Sequence, residues 1–152
     1  MSSWTDMQNG NYGTCYDIDY TPVTVCGNWE LSFGAYIDED NFNFEEDGEG
    51  GTGSTNIGAV AYLENKDTGV IIRFPFGIDY TILGDIDNPD EFHLYEPDRS
   101  LDWGTGITYV IDDVTGMDVN DAEQFIEDNL PEIFDAIVNV VNQNLYKFGY
   151  DL

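Results

Sequence analysis

The sequence predicts an α+β fold: a mostly antiparallel β-sheet with one or two C-terminal helices packed on one face. Three observations predict it. Residues 29–38 alternate apolar and polar side chains, residues 58–74 read as two strands around a turn, and beyond residue 120 the apolar period changes from two to helical spacing. Strands first and helices last is the order of an α+β domain, and 152 residues suit one such domain, spanning 1–152.

The elements follow in order. Thr14–Tyr20 and Val23–Cys26 flank Thr21-Pro22 and are expected to form a hairpin. Trp29, Leu31, Phe33, Ala35 and Ile37 then alternate with Glu30, Ser32, Gly34, Tyr36 and Asp38, the pattern of a strand with one buried face. Residues 38–56 are rich in acids and glycines and are expected to be an acidic loop. A second hairpin is predicted at Gly58–Leu63 and Val70–Phe74, joined through Asn65-Lys66-Asp67-Thr68-Gly69, with short strands at Tyr80–Leu83 and Ile107–Ile111. Residues 85–104, holding Pro89 and Pro97, read as irregular.

Residues 118–147 form the helical part. Asn120 with Glu123 three residues on resembles a capping box, and Ala122, Phe125, Ile126 and Leu130 share one helical face. Pro131 suits the first turn of a second helix, or a kink in one longer helix. Ile133, Phe134, Ile137, Val138, Val140, Val141 and Leu145 continue as a broad apolar stripe.

Charge is the outlier in this composition. Against 31 Asp and Glu stand four basic residues, Lys66, Arg73, Arg99 and Lys147, for a formal net charge of −27. At 41% hydrophobic and 14% aromatic residues the chain can build a core, unlike a disordered acidic tail. It folds against strong self-repulsion, which excludes large assemblies without an apolar interface and leaves a small homo-oligomer open. A single-signed field repels nucleic acid and anionic membrane, so neither direct nucleic-acid binding nor membrane association is expected. No apolar run approaches the length of a membrane span, and Met1–Asn11 lacks the pattern of a secretory signal; the expected compartment is the cytoplasm of a bacterial host.

Motifs of catalytic or cofactor chemistry do not hold up. Gly48, Gly50 and Gly53 satisfy G-x-G-x-x-G in spacing, but they follow Glu45-Glu46-Asp47 and enclose Glu49, which would repel a phosphate. Cys15 and Cys26 would face each other across the first proposed hairpin, a geometry that permits a disulfide, yet reduced thiols are the cytoplasmic expectation. His93 has no nucleophile beside it, and with two cysteines and one histidine a zinc site is not expected. Asp85, Asp87, Asp90 and Glu91 supply oxygen ligands of the kind calcium takes but lack the glycine of an EF-hand loop. No enzyme activity and no cofactor are expected.

What remains is an acidic surface presented to a cationic partner. Duplex DNA carries about one negative charge per 1.7 Å of axis. Carboxylates two apart on a strand share a face at roughly 6.6 Å, the spacing available to Asp17 with Asp19, Asp38 with Asp40 and Asp85 with Asp87. The composition resembles, as a functional class, phage-encoded DNA-mimic proteins such as anti-restriction and anti-CRISPR inhibitors. The expected partner is thus a basic nucleic-acid-binding protein or nuclease complex. The expected contact residues are Asp38, Glu39, Asp40, Glu45, Glu46 and Asp47; Asp85, Asp87, Asp90 and Glu91; Asp112 and Asp113; and Asp121, Glu123, Glu127 and Asp128. The alternatives are an immunity protein that neutralises a basic nuclease toxin, a halophilic protein and a calcium-binding protein. With 13 Asn and 13 Ile but five Ala, the chain does not have the Ala-rich make-up of familiar halophiles.

Overall fold

A computed structural model of the chain describes residues 15–46, 51–85, 88–97 and 106–150. The described strands are β1 (Cys15–Asp17), β2 (Val23–Val25), β3 (Trp29–Phe33), β4 (Tyr36–Glu46), β5 (Gly51–Asn65), β6 (Ile71–Asp85), β7 (Asn88–Tyr95), β8 (Ile107–Tyr109) and β9 (Asp113–Thr115). They form one sheet, antiparallel at every described pairing. Helices α1 (Val119–Asp128) and α2 (Leu130–Asn144) follow, and a short 3₁₀ turn, Leu145–Phe148, extends α2. No described helix is long and apolar enough to cross a membrane.

The β5–β6 hairpin is the spine. Its register runs from Gly51↔Gly84 to Glu64↔Ile71, well beyond the short hairpin predicted from sequence. The turn that closes it has the chemistry its residues imply. Asn65 Oδ1 accepts from the backbone N–H of Asp67 (2.9 Å) and Thr68 (3.1 Å), and Gly69 supplies a φ of 78° that a β-carbon would penalise. On one edge β5 pairs with β4 along its first half and β3 along its second. On the far edge β6 takes β9, β8 and β7 in turn.

Four local expectations are corrected. The acidic segment 38–56 is not a loop where it is described, because residues 38–46 complete β4 and 51–56 open β5. Residues 88–95, expected to be irregular, are β7. The alternating run from Trp29 to Asp38 is two strands broken at Gly34–Ala35, where Gly34 donates its N–H to Val60 O at 2.7 Å. And β1 and β2 are not a hairpin: β1 pairs with β4, while Cys26 and Gly27 take φ of 52° and 86° to turn β2 forward onto β3. Cys15 and Cys26 therefore do not face each other, and they are not joined by a disulfide.

Alternation assigns the two faces of the sheet. Leu31, Ile37, Ile57, Leu63, Ile72, Phe74, Ile78, Tyr80 and Ile82 are completely buried on the inner face. Each such side chain contributes about 1.5–3 kcal/mol of burial, the term that holds the fold together against its own charge. A bulge between Asp40 and Asn43 shifts the register of β4, so Asn43 and Glu45 point outward like Asp38 and Asp40 while Phe42 and Phe44 turn inward.

Helix residues meet the inner face through aromatic contacts. Phe125 of α1 stacks on Trp29 (centroids 4.4 Å apart), Phe134 of α2 meets Tyr109 (5.5 Å), and Phe148 meets Tyr16 edge-on (5.0 Å). Helix α1 starts two residues before the expected position: Asp118 is the N-cap, its carboxylate accepting the Asn120 N–H at 2.8 Å. Pro131 stands in the first turn of α2, a separate second helix. Asn144, fully buried at the end of α2, accepts from Asp19 N–H (2.9 Å) and donates to Asp19 O (2.8 Å) and Val140 O (2.9 Å), tying the chain after β1 to the helix layer.

Candidate functional site

The inner face is used by the core, so exposed chemistry falls on the outer face of the sheet and on the outward side of the helices. On β4 the outward residues are Asp38, Asp40, Asn43 and Glu45, and on β6 Asp79 projects the same way. Asp38 and Asp40, two apart on one strand, repel each other by about 0.6 kcal/mol in water-like dielectric and about 2.5 kcal/mol at an effective dielectric of 20. Partial burial, then the charge of Asp40, raises the Asp38 carboxyl above its ordinary value. Asn56 on β5 donates to Asp79 Oδ1 at 2.8 Å and thereby fixes that carboxylate. Beside these acids stand exposed aromatic side chains, Tyr36 at 62% and Tyr95 at 53%.

A second acidic surface belongs to α1. Asp121, Glu123, Glu127 and Asp128 are all exposed. Glu123 and Glu127, one turn apart, face Tyr109, Val110 and Ile111 across a groove of about 410 Å³. Burial, then the carboxylates of Glu127 and Glu123, pushes the Tyr109 phenol upward. Asp112 and Asp113 continue from this wall. Because α1 covers the inner face, its acids lie on the other side of the sheet from Asp38 and Asp40. The clusters near residues 40 and 120 therefore form two surfaces.

One expected contact residue is corrected outright. Glu39 is completely buried on the inner face and cannot touch a partner. Thr55 donates to its Oε2 at 2.9 Å, Tyr150 donates to the same oxygen, and Oε1 has no partner. Burial outweighs those two hydrogen bonds and pushes the carboxyl up to about 7. Alternation from Asp38 places residue 39 inward; the dense acids around it hide that signal.

Of the remaining expected residues, Asp85 ends β6 and Asp90 and Glu91 lie in β7, while Glu46 ends β4; their side chains are not described. Asp47 and Asp87, with Gly48 and Gly50 of the glycine motif, lie outside the described residues. Gly53 pairs with Phe44 in a strand, not in a phosphate-binding turn. Sequence reasoning passed over Asp79, whose place in the Ile78–Tyr80–Ile82 alternation marks it as outward.

The described basic residues are all engaged within the chain. Lys66 Nζ lies 3.4 Å from Glu30 and 3.1 Å from Glu64, Arg73 pairs with Asp112, and Lys147 Nζ lies 2.7 Å from Asp19. Exposed pairs of this kind add little to stability, because solvent screens them. Their larger effect is to commit three cations to four particular carboxylates, Glu30, Glu64, Asp112 and Asp19, none of them Asp38, Asp79, Glu123 or Glu127. Among the described residues no group of three His, Cys, Asp or Glu side chains is arranged to hold a metal. No protein-family model, no curated protein and no solved structure matches this chain.

Proposed function

We propose that the chain is a non-enzymatic acidic inhibitor that imitates nucleic acid and occupies the basic nucleic-acid-binding surface of a bacterial defence enzyme, as a phage-encoded anti-CRISPR or anti-restriction protein would. The observation that carries this reading is the commitment of every described Lys and Arg to an internal ion pair. None of these described pairs uses Asp38, Asp79, Glu123 or Glu127, and these carboxylates are offered to a partner's cations.

The outer sheet face is the primary contact. Its carboxylates stand on paired strands, whose rigidity holds the spacing that a polyanion mimic needs. Tyr36 and Tyr95 add apolar contact of the kind that anchors interface cores. The 410 Å³ groove at Glu123 and Glu127 is a secondary, peripheral contact for a lysine or arginine side chain.

The test is competition. The purified chain is titrated against a fluorescent DNA duplex bound to guide-programmed nucleases and restriction enzymes, over a salt series. Displacement of DNA that weakens steadily as salt rises is expected. Displacement independent of salt rejects the electrostatic mimic. Capture of a basic nuclease toxin in place of a defence enzyme selects the immunity-protein alternative.

A further inference from the structure

A cleft of about 540 Å³ lies on neither acidic surface but between β2 and α2. Two features define it. β2 is the last strand on its side of the sheet, and among the described residues it pairs with β3 alone, leaving its second edge without a described partner strand. Opposite that strand, Glu132, Ala136 and Val140 follow at intervals of four along α2 and form one stripe facing Pro22, Val23 and Val25. The lining is mixed: Pro22, Val23, Val25, Ala136 and Val140 are apolar, and Thr21, Thr24, Asn139 and Gln143 are polar. Its one charged side chain is Glu132, exposed at the start of α2 and anchored to the strand by accepting the Cys26 N–H.

An open strand edge beside a helix is the geometry that receives an added strand: the main chain pairs with the edge and alternate side chains drop into the cleft. Charge selects the occupant. A second copy of this chain would bring another net −27 and a second Glu132, and nucleic acid is repelled for the same reason. We infer that the β2–α2 cleft takes an extended, cationic peptide segment of the partner, which adds to the edge of β2, places apolar side chains against Val23, Val25 and Val140, and sets a lysine or arginine against Glu132. This deepens the inhibitor reading, on which it rests for the cationic character of the partner.

The test uses the full ¹⁵N-labelled chain and an acetylated, amidated hexapeptide of alternating valine and lysine, with the matching valine–glutamate hexapeptide as control. Amide shifts centred on Val23–Val25 and the first turn of α2 are expected with the lysine peptide only. Glu132→Gln keeps the acceptor for the Cys26 N–H but removes the charge, and should weaken binding about five- to tenfold. Ala136→Phe fills the cleft without changing charge and should abolish the shifts; the same spectra report whether each variant is folded. Shifts confined to α1 or the outer face, equal response to the acidic peptide, or unchanged binding by both variants would overturn the inference. No nuclease or DNA enters this experiment, so a negative result removes the cleft and leaves the competition test of the inhibitor reading intact.

Discussion

Tyr150 donates its phenolic hydrogen bond to Glu39, 111 residues earlier in the chain and completely buried. The contact closes the C-terminal end of the described chain over β4. It also places an ionisable group in the core with one oxygen unpartnered, and a charged carboxylate there is costly.

The pH dependence of stability follows from that carboxyl. Its value in the fold, about 7, lies above its ordinary 4.5, so the folded state binds the proton more tightly than the unfolded state does. The Glu39 contribution to stability is therefore greatest below pH 4.5, falls as pH rises through 7, and levels off above. The total change is on the order of 3 kcal/mol. Glu39→Gln should flatten this part of the curve and be more stable than the parent at pH 8. Urea unfolding at pH 5, 6, 7 and 8 measures it; an unchanged difference between variant and parent across that range would refute the assignment.

Asn144 clamps the segment after β1 to the end of α2 through three hydrogen bonds to Asp19 and Val140. Asn144→Ala leaves the Asp19 N–H and C=O without this partner and should cost about 2–4 kcal/mol. The midpoint of urea unfolding checks this. A loss below about 0.5 kcal/mol would mean that water replaces the amide fully.

Asp118, not Asn120, caps α1. Asp118→Ala should lower stability by about 1 kcal/mol, and Asn120→Ala by much less. Comparable losses in the two thermal melts would contradict the cap assignment.

Two separated acidic surfaces make the contact face separable by mutation. Asp38→Lys with Asp40→Lys should reduce DNA competition at least tenfold, since each reversal replaces attraction with repulsion at the interface. Glu123→Lys with Glu127→Lys should change it by no more than about threefold. The reverse ranking would move the main contact to α1 and its groove.

Much of this was legible in the residues themselves. The turn chemistry of Asn65 to Gly69 announces the β5–β6 hairpin, the apolar stripe from Ile133 to Leu145 announces α2, and the imbalance of 31 acids over four bases announces an anionic exterior. These are local or summed properties, and composition, turn residues and short-range periodicity carry them without reference to the rest of the chain.

Pairing over distance was not legible. Nothing near Cys15 indicates that β1 lies beside β4, and the acids of 38–56 disguised two strands because charge on an outward face resembles charge in a loop. The tertiary structure alone decided that Glu39 turns into the core while Asp38 and Asp40 turn out, that the acids of α1 lie across the sheet from them, and that β2 lies beside α2 and, among the described residues, pairs with β3 alone. The physical reason is that an amphipathic pattern states that a face must be buried but not against what. The partner is selected by contacts between residues tens to more than a hundred positions apart, and only the assembled core expresses that choice.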